Sequence, residues 1–182
     1  MNAVIQNIMS RRSCRSFDPT RRPTDEVIAQ ICAAGTWAPT GKGYQNPVIM
    51  AVTNPEMVAR ISQWNREILV ADHPKLGEKP DFDPFYGAPC MLIVLCKDWY
   101  NAVADGSCVM QTLMLAAESL GVNTCWVNRA REEFATPEGK ALLSEWGLEG
   151  DYVGIGHIAL GYANKTIPSP RPRKEDYVRW VR

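Results

Sequence analysis

The chain has 182 residues, 46% of them hydrophobic, enough to bury a sizeable core as a single domain spanning 1–182. Twenty Lys+Arg balance twenty Asp+Glu, and a formal charge of zero excludes the general field that draws a protein to nucleic acid or an anionic membrane. No run approaches the roughly 20 apolar residues of a membrane span, and Met1 to Ser10 lacks the features of a signal peptide, so the expected location is cytoplasmic.

Ala3, Val4, Ile5, Ile8 and Met9 recur at helical spacing and predict a short helix that stops at Arg11 to Phe17, RRSCRSF. That stretch gathers three guanidiniums and two hydroxyls in a loop. Thr24 is the expected N-cap of a second helix, with Asp25 and Glu26 in its first turn and Gly35 near its end. Trp37 to Pro47, WAPTGKGYQNP, is an expected irregular loop whose backbone N–H groups are able to face a ligand, and Val48 to Thr53 an expected strand. Asn54-Pro55-Glu56 opens a helix running to about Val70. Residues 72–87 are polar and proline-rich yet carry Phe82, Phe85 and Tyr86, which suits either a lid or a plain surface connection.

Ala88 to Cys96 is short and continuously apolar, as in a strand buried on both faces. Ala104 to Leu120 is apolar around nearly its whole circumference, a helix to be buried in a core or between subunits. Thr124 to Val127 and Tyr152 to Leu160 are further strands, separated by a helix that Thr136-Pro137-Glu138 opens and that ends near Gly147. Helices alternating with strands predict an α+β or α/β three-layer fold. Six cysteines form no C-x-x-C pair and only His73 and His157 supply imidazole, so neither disulfides nor a metal site is expected.

A second basic cluster, Arg171, Arg173 and Lys174, lies in a proline-rich segment near the C-terminus. Two such clusters fit one shared phosphate monoester, because arginine presents a planar fork of donors to phosphate oxygens. Solvated charge at the chain ends is the alternative. The chain lacks both G-x-x-x-x-G-K-[ST] and G-x-G-x-x-G, so neither a P-loop nor a Rossmann site holds that phosphate.

RRSCRSF, APTGKGYQNP, YGAPCMLIV, LAAESLGVNTCWV and HIALGYANKTIPSPRPRKED, in that order, resemble the blocks of the nitroreductase family of FMN-dependent oxidoreductases. The resemblance implies a nitroreductase-like fold, a central mixed sheet flanked by helices, acting as a homodimer with FMN in a cleft built from both subunits. By resemblance, Arg11 and Ser13 contact the FMN phosphate with Arg12 beside them, and Arg173 with neighbouring Arg171 completes that grip. Arg15 matches the basic residue near N1 and O2 of the ring, where a fixed cation favours the reduced flavin. Gln45, with Thr40 and Gly41 of the same loop, borders the flavin, and Asn65 matches an asparagine on the pyrimidine edge. Asn128 and Arg129 fall where the family offers a backbone N–H to flavin N5.

Gly43 and Asn46 depart from the family's pattern in the 37–47 loop, and Asn128-Arg129 replaces a small or acidic residue followed by glycine. The resemblance further implies ping-pong transfer of hydride from NAD(P)H to a small acceptor such as a nitroaromatic or quinone, with no side-chain nucleophile or base. Two alternatives stand beside it: a flavin-sequestering protein on the same fold, and a reactive Cys14 activated by nearby arginines.

Overall fold

The computed structural model describes residues 1–182. Its frame is a four-stranded sheet of β1 (Pro47–Val52), β2 (Cys90–Lys97), β3 (Asn123–Val127) and β4 (Tyr152–Gly161), in the order β1-β2-β4-β3. All three ladders are antiparallel. The mixed character expected of the sheet reduces to one isolated parallel bridge between Ser13 and Thr124. The basic stretch joins the sheet there for a single residue and does not form a strand.

Six helices cover the two faces: α1 (Ala3–Ser10), α2 (Asp25–Gly35), α3 (Pro55–Asp72), α4 (Ala102–Ser119), α5 (Ala130–Ala135) and α6 (Pro137–Glu145). β2 shows why there are three layers. Its Met91, Ile93 and Leu95 enter the core under α3, α5 and α6, while Cys90, Leu92 and Val94 enter the core under α2 and α4. A strand whose alternate side chains both meet helices must be apolar without interruption, and β2 is buried from Cys90 to Cys96.

Side-chain caps set the helix starts at Thr24, Asn54 and Thr136 as expected, and at Asn2 as well: each accepts a backbone N–H from the first turn of its helix. α5 was not expected from the sequence. It has six residues and no side-chain cap, and its N-cap is Arg129 in a left-handed conformation. The short α5 packs tightly on β4, where an added Cβ at Gly154 would run into the Ala130 carbonyl. Ile155 is the extra residue of a bulge there, since Gly154 and Gly156 pair with the adjacent residues Leu95 and Val94.

α4 is buried on one side only. Val109, Met110, Leu113 and Ala117 face the core, whereas Val103 remains 57% exposed. α1 crosses it, tied by Asn7 Nδ2 donating to the Leu115 carbonyl, and leaves Val4, Ile5, Ile8 and Met9 open. Residues 168–182 are exposed throughout. No helix is long and apolar enough to cross a membrane.

Candidate cofactor site

The site gathers along the outer edge of β3. Cys14 N–H donates to the Thr124 carbonyl at 2.9 Å and Phe17 N–H to the Tyr86 carbonyl at 3.0 Å, so the Arg11–Phe17 stretch lies between that edge and the end of the 72–87 loop. Arg11 places Nη1 in the interior with no acceptor. A buried guanidinium N–H without a partner carries a desolvation cost that an anion would offset. Arg12 has another task, because its Nη1 donates to the Met9 carbonyl at 2.6 Å and the Arg11 carbonyl at 2.8 Å and so closes the end of α1. Ser13 forms the bridge to Thr124. Arg15 is exposed and lines a cavity of about 570 Å³ with Lys79, Asp81, Phe82, Tyr86 and Gly87.

Asp83 organises that side of the cavity. Its carboxylate accepts from Ser62 Oγ at 2.7 Å, from Phe85 N at 2.8 Å and from Gly87 N at 2.6 Å, which pins the end of the 72–87 loop to α3. Phe85, carried by the same loop, is 1% exposed and packs edge-on against His157. A larger cavity of about 810 Å³ lies under the same loop beside α3; its Arg22 is engaged by Asp25 and its Arg66 by the Phe82 carbonyl.

β3 ends at Asn128 and Arg129. Arg129 stands at φ 85°, ψ 0°, the left-handed region, where glycine would be unstrained. Its guanidinium reaches Asp72 at 2.8 Å and Glu132 at 2.7 Å, so its positive charge is already paired. The Asn128 carbonyl accepts from Asn65 Nδ2 at 2.7 Å. Asn65, expected at the pyrimidine edge of the ring, is instead 0% exposed, with Oδ1 buried and unpartnered.

Within one chain the remaining expected residues lie elsewhere. Gly41 N–H is committed to Asp105 Oδ1 at 2.9 Å, and Thr40 Oγ1 accepts from Gln45 N at 3.1 Å. Thr40 and Gln45 line a separate cavity of about 330 Å³ beside α2 and α4. Arg171 and Arg173 sit on the exposed tail, without a hydrogen bond or ion pair to the Arg11–Arg15 stretch. Cys14 does not fit a nucleophile, because burial holds its thiol above the ordinary range and its Sγ is engaged by the Ser16 carbonyl.

The model of the nitroreductase family matches residues 8–162, which takes in this whole edge and all four strands. The chain belongs to the nitroreductase family. A provisionally named NADH dehydrogenase/NAD(P)H nitroreductase of Archaeoglobus fulgidus is 26% identical across 97% of this chain and 91% of its own length. A nitroreductase from Bacteroides fragilis solved with bound FMN superposes with a TM-score of 0.89 at 26% identity, covering 100% of both chains. Another FMN-bound nitroreductase, from Desulfitobacterium hafniense, gives 0.88 at 28% identity, again over 100% of both. Against this nitroreductase background, two features escaped the sequence: Glu133 on the unexpected α5, and the meeting of Glu133 with Asn65 and His157.

Proposed function

We propose that the chain moves hydride from NAD(P)H by way of FMN to a small acceptor such as a nitroaromatic or a quinone, in a ping-pong cycle. Family membership makes it an NAD(P)H-dependent flavin oxidoreductase, and FMN, bound in the Bacteroides and Desulfitobacterium relatives, is its cofactor. The observation that carries the reading is the edge of β3. A buried Arg11 Nη1 without an acceptor lies toward one end, and at the other end an Arg129 N–H that no group of the chain accepts. An anionic tail and a hydrogen-bond acceptor on one ligand fit those two donors.

In this reading Arg11, with Ser13, holds the phosphate and Arg15 stands beside the N1–O2 side of the ring, where its charge favours reduction. Arg129 N–H would donate at N5, and Asn65, fully buried, holds the Asn128 carbonyl behind that N–H. Bound FMN supplies a hydride acceptor at N5 that passes the electrons on. The chain contributes position, a shielded ring face and fixed charge. Thr40, Gly41 and Gln45, and Arg171 and Arg173, stand apart from Arg11 in one chain, so the proposal includes a homodimer in which the partner's copies complete the cleft. The exposed apolar residues of α1, Val103 of α4 and the tail's Tyr177, Val178 and Trp180 are then the contact surfaces. A cytoplasmic setting with no nucleic-acid or membrane partner belongs to the same proposal.

The test is spectroscopic. The purified protein soaked in FMN should be yellow after desalting, bleach anaerobically with NADH or NADPH, and regain colour on addition of a quinone or nitroaromatic. A preparation that stays colourless ends the proposal, and one that is yellow but resists both nucleotides is a flavin carrier.

A further inference from the structure

Three side chains that share no sequence neighbourhood meet in the dry interior behind β3. Asn65 from α3, Glu133 from α5 and His157 from β4 are each 0% exposed. Asn65 Nδ2 donates both to the Asn128 carbonyl at 2.7 Å and to Glu133 Oε1 at 2.6 Å. His157 Nε2 stands 2.8 Å from Glu133 Oε2, at ion-pair distance though off the line of a hydrogen bond. Phe85 and Phe134 pack around the imidazole and exclude water. Two acceptors on one amide nitrogen fix which end of the Asn65 amide is nitrogen.

Geometry then carries the consequence outward. The Asn128–Arg129 peptide is trans, so its N–H points away from its carbonyl. The carbonyl is drawn inward by Asn65, and the Arg129 N–H therefore faces out of the fold, with no acceptor in the chain. Arg129 holds this pose in the left-handed region at φ 85°, a strained state for a side chain that needs support from its surroundings.

We infer that Asn65, Glu133 and His157 form a positioning relay that locks the Asn128–Arg129 peptide with its N–H aimed at flavin N5, which rests on the FMN reading above. His157 orients the Glu133 carboxylate, the carboxylate orients the Asn65 amide, and the amide holds the carbonyl. Removing one member of a buried ionic cluster destabilises the fold whatever its role, so global stability does not separate a relay from packing, whereas loosening confined to residues 127–134 does.

Glu133→Leu and Asn65→Leu test the relay, with Glu133→Gln as the conservative control. The Gln carbonyl still accepts from Asn65, and its amide faces an Nε2 that accepts once the imidazole proton moves to Nδ1, an atom with no partner here. In flavin-free protein, hydrogen exchange over residues 127–134 should rise at least tenfold in both Leu variants and stay within twofold in Glu133→Gln, with exchange in β2 unchanged throughout. In FMN-loaded protein, single-turnover flavin reduction by NADH should slow at least tenfold in the Leu variants while the KM for NADH stays within twofold. Should Glu133→Leu fail to fold, Asn65→Leu carries the same reading. Leu variants that exchange like wild type over 127–134, or that loosen β2 equally, overturn the relay. Failure of the wild type to take up FMN would instead strike the reading above, since the exchange measurement needs no flavin.

Discussion

Arg129 combines backbone strain with two ion pairs, and the two contributions can be separated. Left-handed backbone costs a non-glycine residue about 1–2 kcal/mol, whereas half-exposed ion pairs contribute about 0–1 kcal/mol each. Arg129→Ala removes the pairs and keeps the strain; Arg129→Gly removes both. Thermal unfolding should therefore show Arg129→Gly more stable than Arg129→Ala by about 1 kcal/mol, and the reverse order would mean that the strain is not there. Arg11 is the other residue whose surroundings make a sharp forecast. Its buried Nη1 lacks a partner, so Arg11→Ala should weaken FMN binding by about 1.5–3 kcal/mol, the contribution of one charged hydrogen bond. Fluorescence titration of the flavin-free protein reads this directly, and unchanged affinity removes Arg11 from the phosphate grip.

β2 and β4 carry the element-scale consequences. Burial pushes the Cys90 thiol up to about 12 and the Cys96 thiol up to about 11. An unfolded chain loses these protons near the ordinary value of about 8.5, while the fold keeps them. The unfolded state then binds fewer protons, so stability falls as pH rises above about 9, by about 1.4 kcal/mol per unit for each such thiol. Denaturant midpoints of Cys90→Ala measured between pH 8 and 10 should fall less steeply than those of the parent. Gly154 marks where α5 presses on β4, and Gly154→Ala should cost about 1–3 kcal/mol, read from the same denaturation, because the obstacle is the backbone at Ala130. The helices on the two faces were legible from the sequence wherever a cap or a long periodic face announced them. α5 was not, since six residues are too few for a period and a left-handed Arg129 gives no capping signal.

At the scale of the whole molecule, the exposed tail, the open apolar residues of α1 and Val103 of α4 argue for a second copy. Trp180 and Tyr177 are each 78% exposed, large aromatic surfaces that burial against a partner would stabilise. FMN-loaded protein should sediment at twice the chain mass. Removing residues 168–182 should release both dimer and flavin, read by sedimentation and by flavin absorbance, although that segment is exposed throughout and adds no buried packing to its own chain. A flavin-loaded monomer of the full chain would refute this arrangement.

Local chemistry of the sequence was sufficient for the caps at Thr24, Asn54 and Thr136, the doubly buried β2 and the basic character of the Arg11 to Arg15 loop, because each rests on residues close together in the chain. Tertiary structure alone decided that the sheet is antiparallel, that Phe85 belongs to the core, and that Arg12 closes a helix. It also decided that Thr40, Gln45, Arg171 and Arg173 stand apart from Arg11 within one chain. The bonds from Asn65 to Asn128 and Glu133 span 63 and 68 residues of sequence. Such contacts follow from how α3 and α5 stack on one face of the sheet, a relation between distant segments that no spacing along the chain encodes.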